Sequence, residues 1–258
     1  MPNPLHRLES EASLRLDGKV ALVTGSSKGI GRALVLGFAA AGADVVVSSR
    51  KAEACETVAN EVRAIGRLAE VIPCHVGRWD DCQRLIEQTV DRFGRVDILV
   101  NNAGIAPVPP SLVGVSEELF DKTINVDLKG PLRLTALAAE HMMPGSAVVN
   151  ISSKASTHPS PHTVVYAAAK AGLNVLTKAS AIEYAPRGIR VNGIVCGTFA
   201  TDSFLNGIQN AEALKAMTDR ILLGRFGEPA EVIGTALYLA TNASSYLTGQ
   251  LIMLDGGG

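Results

Sequence analysis

Little cysteine, almost no net charge and no long apolar run set the first limits on this chain of 258 residues. Its four cysteines, Cys55, Cys74, Cys82 and Cys196, form no CxxC pair. That argues against a zinc site or a disulfide framework, and for reduced thiols in the cytoplasm. The formal net charge is -1, with no basic or acidic run, so neither nucleic acid nor an anionic membrane surface has a footprint. No apolar stretch approaches the roughly 18 residues of a membrane-spanning helix. The opening "MPNPLHRLESEASLRLDGK" lacks the apolar core of a signal peptide. The closing "LDGGG" is neither a peroxisomal tripeptide nor a lipidation box. We therefore expect a cytoplasmic protein without a metal, a nucleic-acid partner or a membrane partner. No Pro/Gly/Ser-rich linker and no internal repeat divides the chain, so one domain over 1–258 is expected.

What is present is a large core: 47% of residues are hydrophobic and 19% charged. Short β-branched runs alternate with amphipathic stretches. "KVALVTG" precedes "IGRALVLGFAAAGA", and "DVVVSS" precedes "AEACETVANEVRAIG". "LAEVIPCHV", "VDILVNNAG", "SAVVNISS", "IRVNGIV" and "LIMLDGG" continue the series, with a long helix starting near Thr163. Runs that are apolar at every position suit strands buried on both faces, as in parallel sheets covered by helices. The fold class predicted is α/β: a Rossmann-type, doubly wound parallel sheet with right-handed crossovers and helices on both faces.

"VTGSSKGIG" (23–31) sits where the first strand hands over to the first helix. Gly25, Gly29 and Gly31 tighten the turn and let a pyrophosphate approach the amides of a helix N-terminus, with Ser27 and Ile30 in the same loop. "VVVSSRK" ends the second strand about 20 residues further on, where the ribose-binding acid of NAD enzymes stands. Ser49 occupies that place and Arg50 follows it; Lys28 lies inside the glycine loop. Two cations and a missing carboxylate suit the 2′-phosphate of NADP(H), which an acid would repel.

"VVNISSKAS" (148–156) and "YAAAKAG" (166–172) carry the chemistry. Tyr166 and Lys170 are four apart, so both project from one helix face. An ammonium close to a phenol favours its ionised form, which makes Tyr166 a proton donor and acceptor of the kind carbonyl reduction requires. Ser153, at a strand end, is placed to stabilise charge developing on a carbonyl oxygen.

These motifs together resemble the short-chain dehydrogenase/reductase family, from about Leu16 to Gly257, which leaves 1–15 as an N-terminal extension. The resemblance is carried by "TGSSKGIG", "NNAG" (101–104), "INV" (124–126), Ser153, "YAAAK", "RVNGIVCG" (190–197) and "LTGQLIMLDGG" (247–257). It implies a catalytic tetrad of Asn125, Ser153, Tyr166 and Lys170, with Asn125 holding a relay water and Lys170 also holding the nicotinamide ribose. It implies that Asn101, Ala103 and Gly104 line the cofactor, and that Gly197, Phe199 and Thr201 hold the carboxamide end. There are two departures. "CHVG" puts His75, followed by Val76, where the family has an adenine-binding acid; His75 either bonds adenine or merely closes the third strand. Cys196 stands where the family has proline. The narrower likeness is to NADPH-dependent carbonyl reductases, including animal enzymes that reduce α-dicarbonyls and retinal. By resemblance too, helices at about 116–141 and 163–185 and the C-terminal strand pack copies of the chain into a homo-tetramer.

The function expected is thus NADPH-dependent reduction of a ketone or aldehyde. Two enzymatic rivals are 3-oxoacyl-carrier-protein reduction and NAD-linked alcohol oxidation; a catalytically silent nucleotide binder is disfavoured because the reacting side chains are all present. The substrate is expected to meet 105–114, 155–165 and 202–224. In the last stretch Phe204, Leu205, Ile208, Leu214 and Met217 form either a closing lid or ordinary packing helices. His158 and His162 are read as loop surface. Carrier-protein docking needs basic residues at the pocket mouth, and 138–149 contains no Lys or Arg.

Overall fold

Strands apolar at every position need cover on both faces, and helices supply it here. The computed structural model describes residues 13–206 and 210–258; most of the expected N-terminal extension, and Ile208, lie outside them. Seven parallel strands form one sheet: β1 (Val20–Thr24), β2 (Asp44–Ser48), β3 (Ala69–Val71), β4 (Ile98–Asn101), β5 (Ala147–Ser153), β6 (Arg190–Cys196) and β7 (Leu251–Leu254). Their order is β3-β2-β1-β4-β5-β6-β7, so the winding reverses between β1 and β4.

The helices between them are α1 (Gly29–Ala40), α2 (Ala52–Ala64), α3 (Trp79–Phe93), α4 (Glu117–Ile124), α5 (Gly130–Ala139), α6 (Val164–Tyr184), α7 (Asp202–Leu205), α8 (Ala211–Thr218) and α9 (Val232–Ala240). Successive strand residues divide between two cores, as the pleat requires. Ala21 and Val23 join Leu34, Val35 and Phe38 of α1 and Val232, Ala236 and Leu239 of α9. Leu22 joins Leu85 and Ile86 of α3, Leu134 of α5 and Ala181 of α6. The alternation read from sequence is thus the doubly wound sheet found. No helix among the described residues is long and apolar enough to cross a membrane.

The stretch expected as one helix over about 116–141 is broken. Between α4 and α5, residues Asn125–Lys129 widen into a π turn, and the Gly130 N–H returns to the carbonyl of Asn125. Pro131, in the first turn of α5, has no N–H to send back to residue 127, so the regular ladder fails there for a covalent reason.

A row of buried polar contacts crosses the sheet beside this turn. Asn101 Nδ2 donates to Thr135 Oγ1 at 3.0 Å and to Asn150 Oδ1 at 2.8 Å, and Asn150 Nδ2 donates to Thr177 Oγ1 at 2.8 Å. It ties β4 and β5 to α5 and α6.

Candidate active site

The reversal of strand order opens a crevice at the carboxyl ends of β1 and β4, and the glycine loop forms its wall. Gly25 adopts φ +65°, a conformation other L residues resist. Gly31 lies in the first turn of α1, where a Cβ would stand 2.3 Å from the carbonyl oxygen of Gly25 and 2.5 Å from Asn102 Nδ2. That amide donates to Thr24 O at 2.8 Å and Gly25 O at 3.2 Å, binding the loop after β4 to the loop after β1. The cleft so formed has a volume of about 550 Å³.

Of the residues singled out for the cofactor, Gly25, Ser27, Lys28, Gly29, Ile30, Gly31, Ser49, Arg50, His75, Val76, Ala103, Gly104 and Thr201 all line this cleft. Asn101 does not; its side chain belongs to the polar row beneath, and Asn102 reaches the cleft instead. Gly197 and Phe199 also lie off the lining. Gly197 packs so tightly on Asp255 that a Cβ would come within 2.6 Å of it. Phe199 is buried and bridges to Gly227. Thr201 both lines the cleft and caps α7, its hydroxyl accepting from Phe204 N at 3.3 Å. His75 Nδ1 accepts from Gly77 N at 3.2 Å.

The charge of the lining is one-sided. Lys28, Arg50, Lys51 and Lys122 contribute to it, and no Asp or Glu does. Arg50, Lys51 and Lys122 make no ion pair among the described residues, whereas most other arginines are matched, as Arg32 is by Glu61 and Arg225 by Glu231. Lys51 simply follows Arg50 along the chain, whereas Lys122 is not legible as a site residue and is brought to the cleft only by the fold. A glycine cradle with amides at a helix N-terminus and a cationic, acid-free rim fits the phosphates of a dinucleotide.

Lys170 stands just behind the cleft wall, its Nζ 3.5 Å from where a Cβ on Gly104 would be. One helical turn away on α6, the ring of Tyr166 has its centroid 5.7 Å from that Nζ. Ser153, at the end of β5, accepts from Ala155 N at 3.2 Å, and its O–H remains to donate outward. Asn125 lies half-buried in the π turn, and its side chain makes no hydrogen bond to Lys170. Asp127 contacts Lys170 directly: Oδ1 lies 3.3 Å from Nζ. Nothing in the local sequence marked Asp127, since the π turn decides which residue of "INVDLKG" points inward. Burial lifts the Asp127 carboxyl above the usual carboxylate range, with Lys170 opposing. Burial would lower Lys170, but the charge of Asp127, with a smaller contribution from Tyr166, holds it above its ordinary value.

A parallel sheet with its cleft at the order reversal, a glycine cradle and a Tyr–Lys pair behind it defines a dinucleotide-dependent oxidoreductase. Comparison with known proteins carries this further. The enoyl-(acyl carrier protein) reductase family model matches residues 25–258. A 3-oxoacyl-[acyl-carrier-protein] reductase of Thermotoga maritima is 38% identical, over 95% of this chain and 99% of its own length. Human dehydrogenase/reductase SDR family member 4 is 37% identical, over 97% and 92%. The crystal structure of a gluconate 5-dehydrogenase from Burkholderia cenocepacia, in complex with NADP and tartrate, superposes with a TM-score of 0.91 at 34% identity, covering 96% of this chain and 97% of that one. The chain belongs to the short-chain dehydrogenase/reductase family of oxidoreductases, which bind a nicotinamide cofactor.

Proposed function

We propose that this protein is an NADPH-dependent reductase of small ketones or aldehydes. The observation that carries the reading is the cleft lining, four cations with no carboxylate, and Ser49 at the end of β2. The amides of the glycine loop would hold the pyrophosphate, and Lys28, Arg50 and Lys51 the 2′-phosphate. Bound NADPH would supply the hydride. The chain supplies the rest: the Ser153 hydroxyl donates a hydrogen bond to the carbonyl oxygen as charge develops there, and the Tyr166 hydroxyl delivers the proton. Lys170 fixes Tyr166 by the contact between its ammonium and the ring face, and favours the phenolate left behind.

The substrate end is apolar. Val108, Leu112 and Val113 are exposed on the loop after β4, which His162 Nδ1 ties to the start of α6 by a contact of 3.3 Å to Pro109 O. Leu222 and Leu223 are exposed on the stretch after α8. Such a rim suits a free, largely apolar carbonyl compound. A second reading, reduction of a 3-oxoacyl group on an acyl carrier protein, is favoured by the names of relatives from Thermotoga maritima and Synechocystis. Against it, 138–149 lacks Lys and Arg. Arg187 is also already engaged, by Glu140 Oε1 at 3.5 Å and the carbonyl of Ala139. A direct comparison of small diketones and aryl ketones with a carrier-bound 3-oxoacyl substrate tests the point. Free carbonyls are expected to be turned over efficiently; a carrier substrate favoured by more than about tenfold in kcat/KM, or ~1.4 kcal/mol, would promote the second reading.

The same reading has the chain working as a homo-tetramer. Val175 and Ile182 stand exposed on α6, and Met253 and Tyr246 at and before β7, apolar area of the kind a second copy covers. Light scattering at micromolar concentration is expected to return a multiple of the 27.0 kDa chain mass; a monomer removes this element of the proposal.

A further inference from the structure

Tyr166, Lys170 and Asn174 follow one another at every fourth position of α6, so their side chains form one stripe along the helix. Asn174 is only 9% exposed, and its amide is bonded at both ends. Its Oδ1 accepts from Ser152 Oγ at 2.6 Å, and its Nδ2 donates to Ser156 Oγ at 2.8 Å. Those two serines flank Ser153, one position before it in β5 and three positions after it. Ser156 closes a single 3₁₀ turn, Lys154–Ser156, which begins at Ser153. The Ser153 hydroxyl is itself fastened to that turn, since it accepts from Ala155 N. Contacts therefore run without a break from α6 through Asn174 and Ser156 to the turn, and from the turn to the Ser153 hydroxyl. Just upstream, Lys170 Nζ donates to Ile151 O at 3.0 Å, so the same helix also grips β5.

Stability gives no reason for a polar bridge here. Replacing both partners of a buried hydrogen bond by apolar groups of the same shape is nearly neutral. Its place around Ser153 asks for a different explanation.

We propose that Asn174 is a positioning residue for Ser153: it clamps the chain on both sides of that serine to the helix that carries Tyr166. It thereby fixes the separation of the two hydroxyls that meet the carbonyl oxygen. This rests on the roles proposed above for Ser153 and Tyr166. The two hydroxyls come from different elements, a strand end and a helix. A lone 3₁₀ turn, with its poorer hydrogen-bond geometry, is a weak holder for the first of them. Asn174 supplies the bond that crosses the gap.

Asn174→Leu keeps the branched shape and removes both bonds. Carbonyl reduction is expected to slow by about ten- to a hundredfold in kcat, the loss that follows when a reacting group is misplaced by about 1 Å. KM for NADPH should stay within about threefold. The pH profile is expected to hold its position, because Tyr166 and Lys170 remain on their helix. A double-mutant cycle decides, read as single-turnover NADPH oxidation with enzyme in excess. In a Ser153→Ala background, Asn174→Leu should change the rate by less than about twofold, since no hydroxyl is left to misplace. Equal losses in the two backgrounds mean that residue 174 acts on the fold at large; a shifted pH profile means that it acts through Lys170. Either result overturns the proposal.

Should Asn174→Leu fail to fold, Ser156→Ala breaks only the outer bond, in a half-buried turn. Its smaller loss is expected to vanish in the same Ser153→Ala background, and a loss that persists there overturns the proposal equally. A crystal structure of either variant reads the clamp without turnover. The Lys154–Ser156 turn should stand further from α6 than in the unmodified protein, and an unmoved turn overturns the proposal. Absence of any carbonyl turnover in the unmodified protein would count against the functional reading, and the position of the turn would still judge the clamp.

Discussion

Tyr166→Phe is expected to lower carbonyl reduction by about 10²- to 10⁴-fold, the range a positioned proton donor contributes. NADPH binding should change by less than about threefold. Two features separate the effects. Tyr166 lies off the lining of the cleft, whose glycine cradle and cations remain intact in the variant. The contact between Lys170 and the ring, with Nζ 5.7 Å from the centroid, needs only the aromatic face, which phenylalanine keeps. What disappears is the one hydroxyl on α6 set beside an ammonium. Stopped-flow reduction of a small diketone, with fluorescence titration of NADPH alongside, measures both quantities. Turnover near that of the unmodified protein would show that the proton comes from another group.

Turnover with NADPH should exceed turnover with NADH by at least about tenfold in kcat/KM, ~1.4 kcal/mol, and Arg50→Asp should erase or reverse that preference. The argument is one of charge around the end of β2. Ser49 is neutral, with its hydroxyl 3.2 Å from Cys55 Sγ, so nothing there accepts from an unmodified ribose as a carboxylate would. Arg50 and Lys51 follow it, and Lys28 approaches from the glycine loop. An aspartate at position 50 would both remove a phosphate ligand and repel the phosphate, and would restore an acceptor for ribose hydroxyls. Equal efficiency with the two cofactors in the unmodified protein would defeat the NADPH reading and favour an enzyme indifferent to the 2′-phosphate.

The parts of the site legible in the sequence are those set by short spacing. Gly25, Gly29 and Gly31 need only be read along the chain, and a strand followed by a helix explains why a cradle forms there. Tyr166 and Lys170 share a face because a helix repeats every 3.6 residues. Where geometry is not local, the sequence gives less. "NNAG" offers two adjacent asparagines, and the strand pleat sends them to opposite destinations: Asn101 into the interior, Asn102 across to Gly25. Telling them apart requires knowing where β4 ends. Likewise "INVDLKG" reads as plain helix until Pro131 is recognised as unable to complete it. The resulting π turn sets Asp127 against Lys170. Arg187 is paired with Glu140, 47 positions away, a contact no local spacing marks.

The row running from Thr135 through Asn101 and Asn150 to Thr177 also bears on how this protein can diversify. Asn101 and Asn150 are direct neighbours in the pairing of β4 with β5. Were either strand to slip by one residue, its amide would turn to the opposite face and leave buried groups unpaired, at about 1–3 kcal/mol for each. Misaligned pairings are thereby penalised in the middle of the sheet, far from the loops that meet substrate. Those loops, after β4 and after β6, contribute nothing to this internal lock. Their side chains can be exchanged, lengthened or reshaped for another carbonyl compound while the framework beneath continues to choose a single alignment.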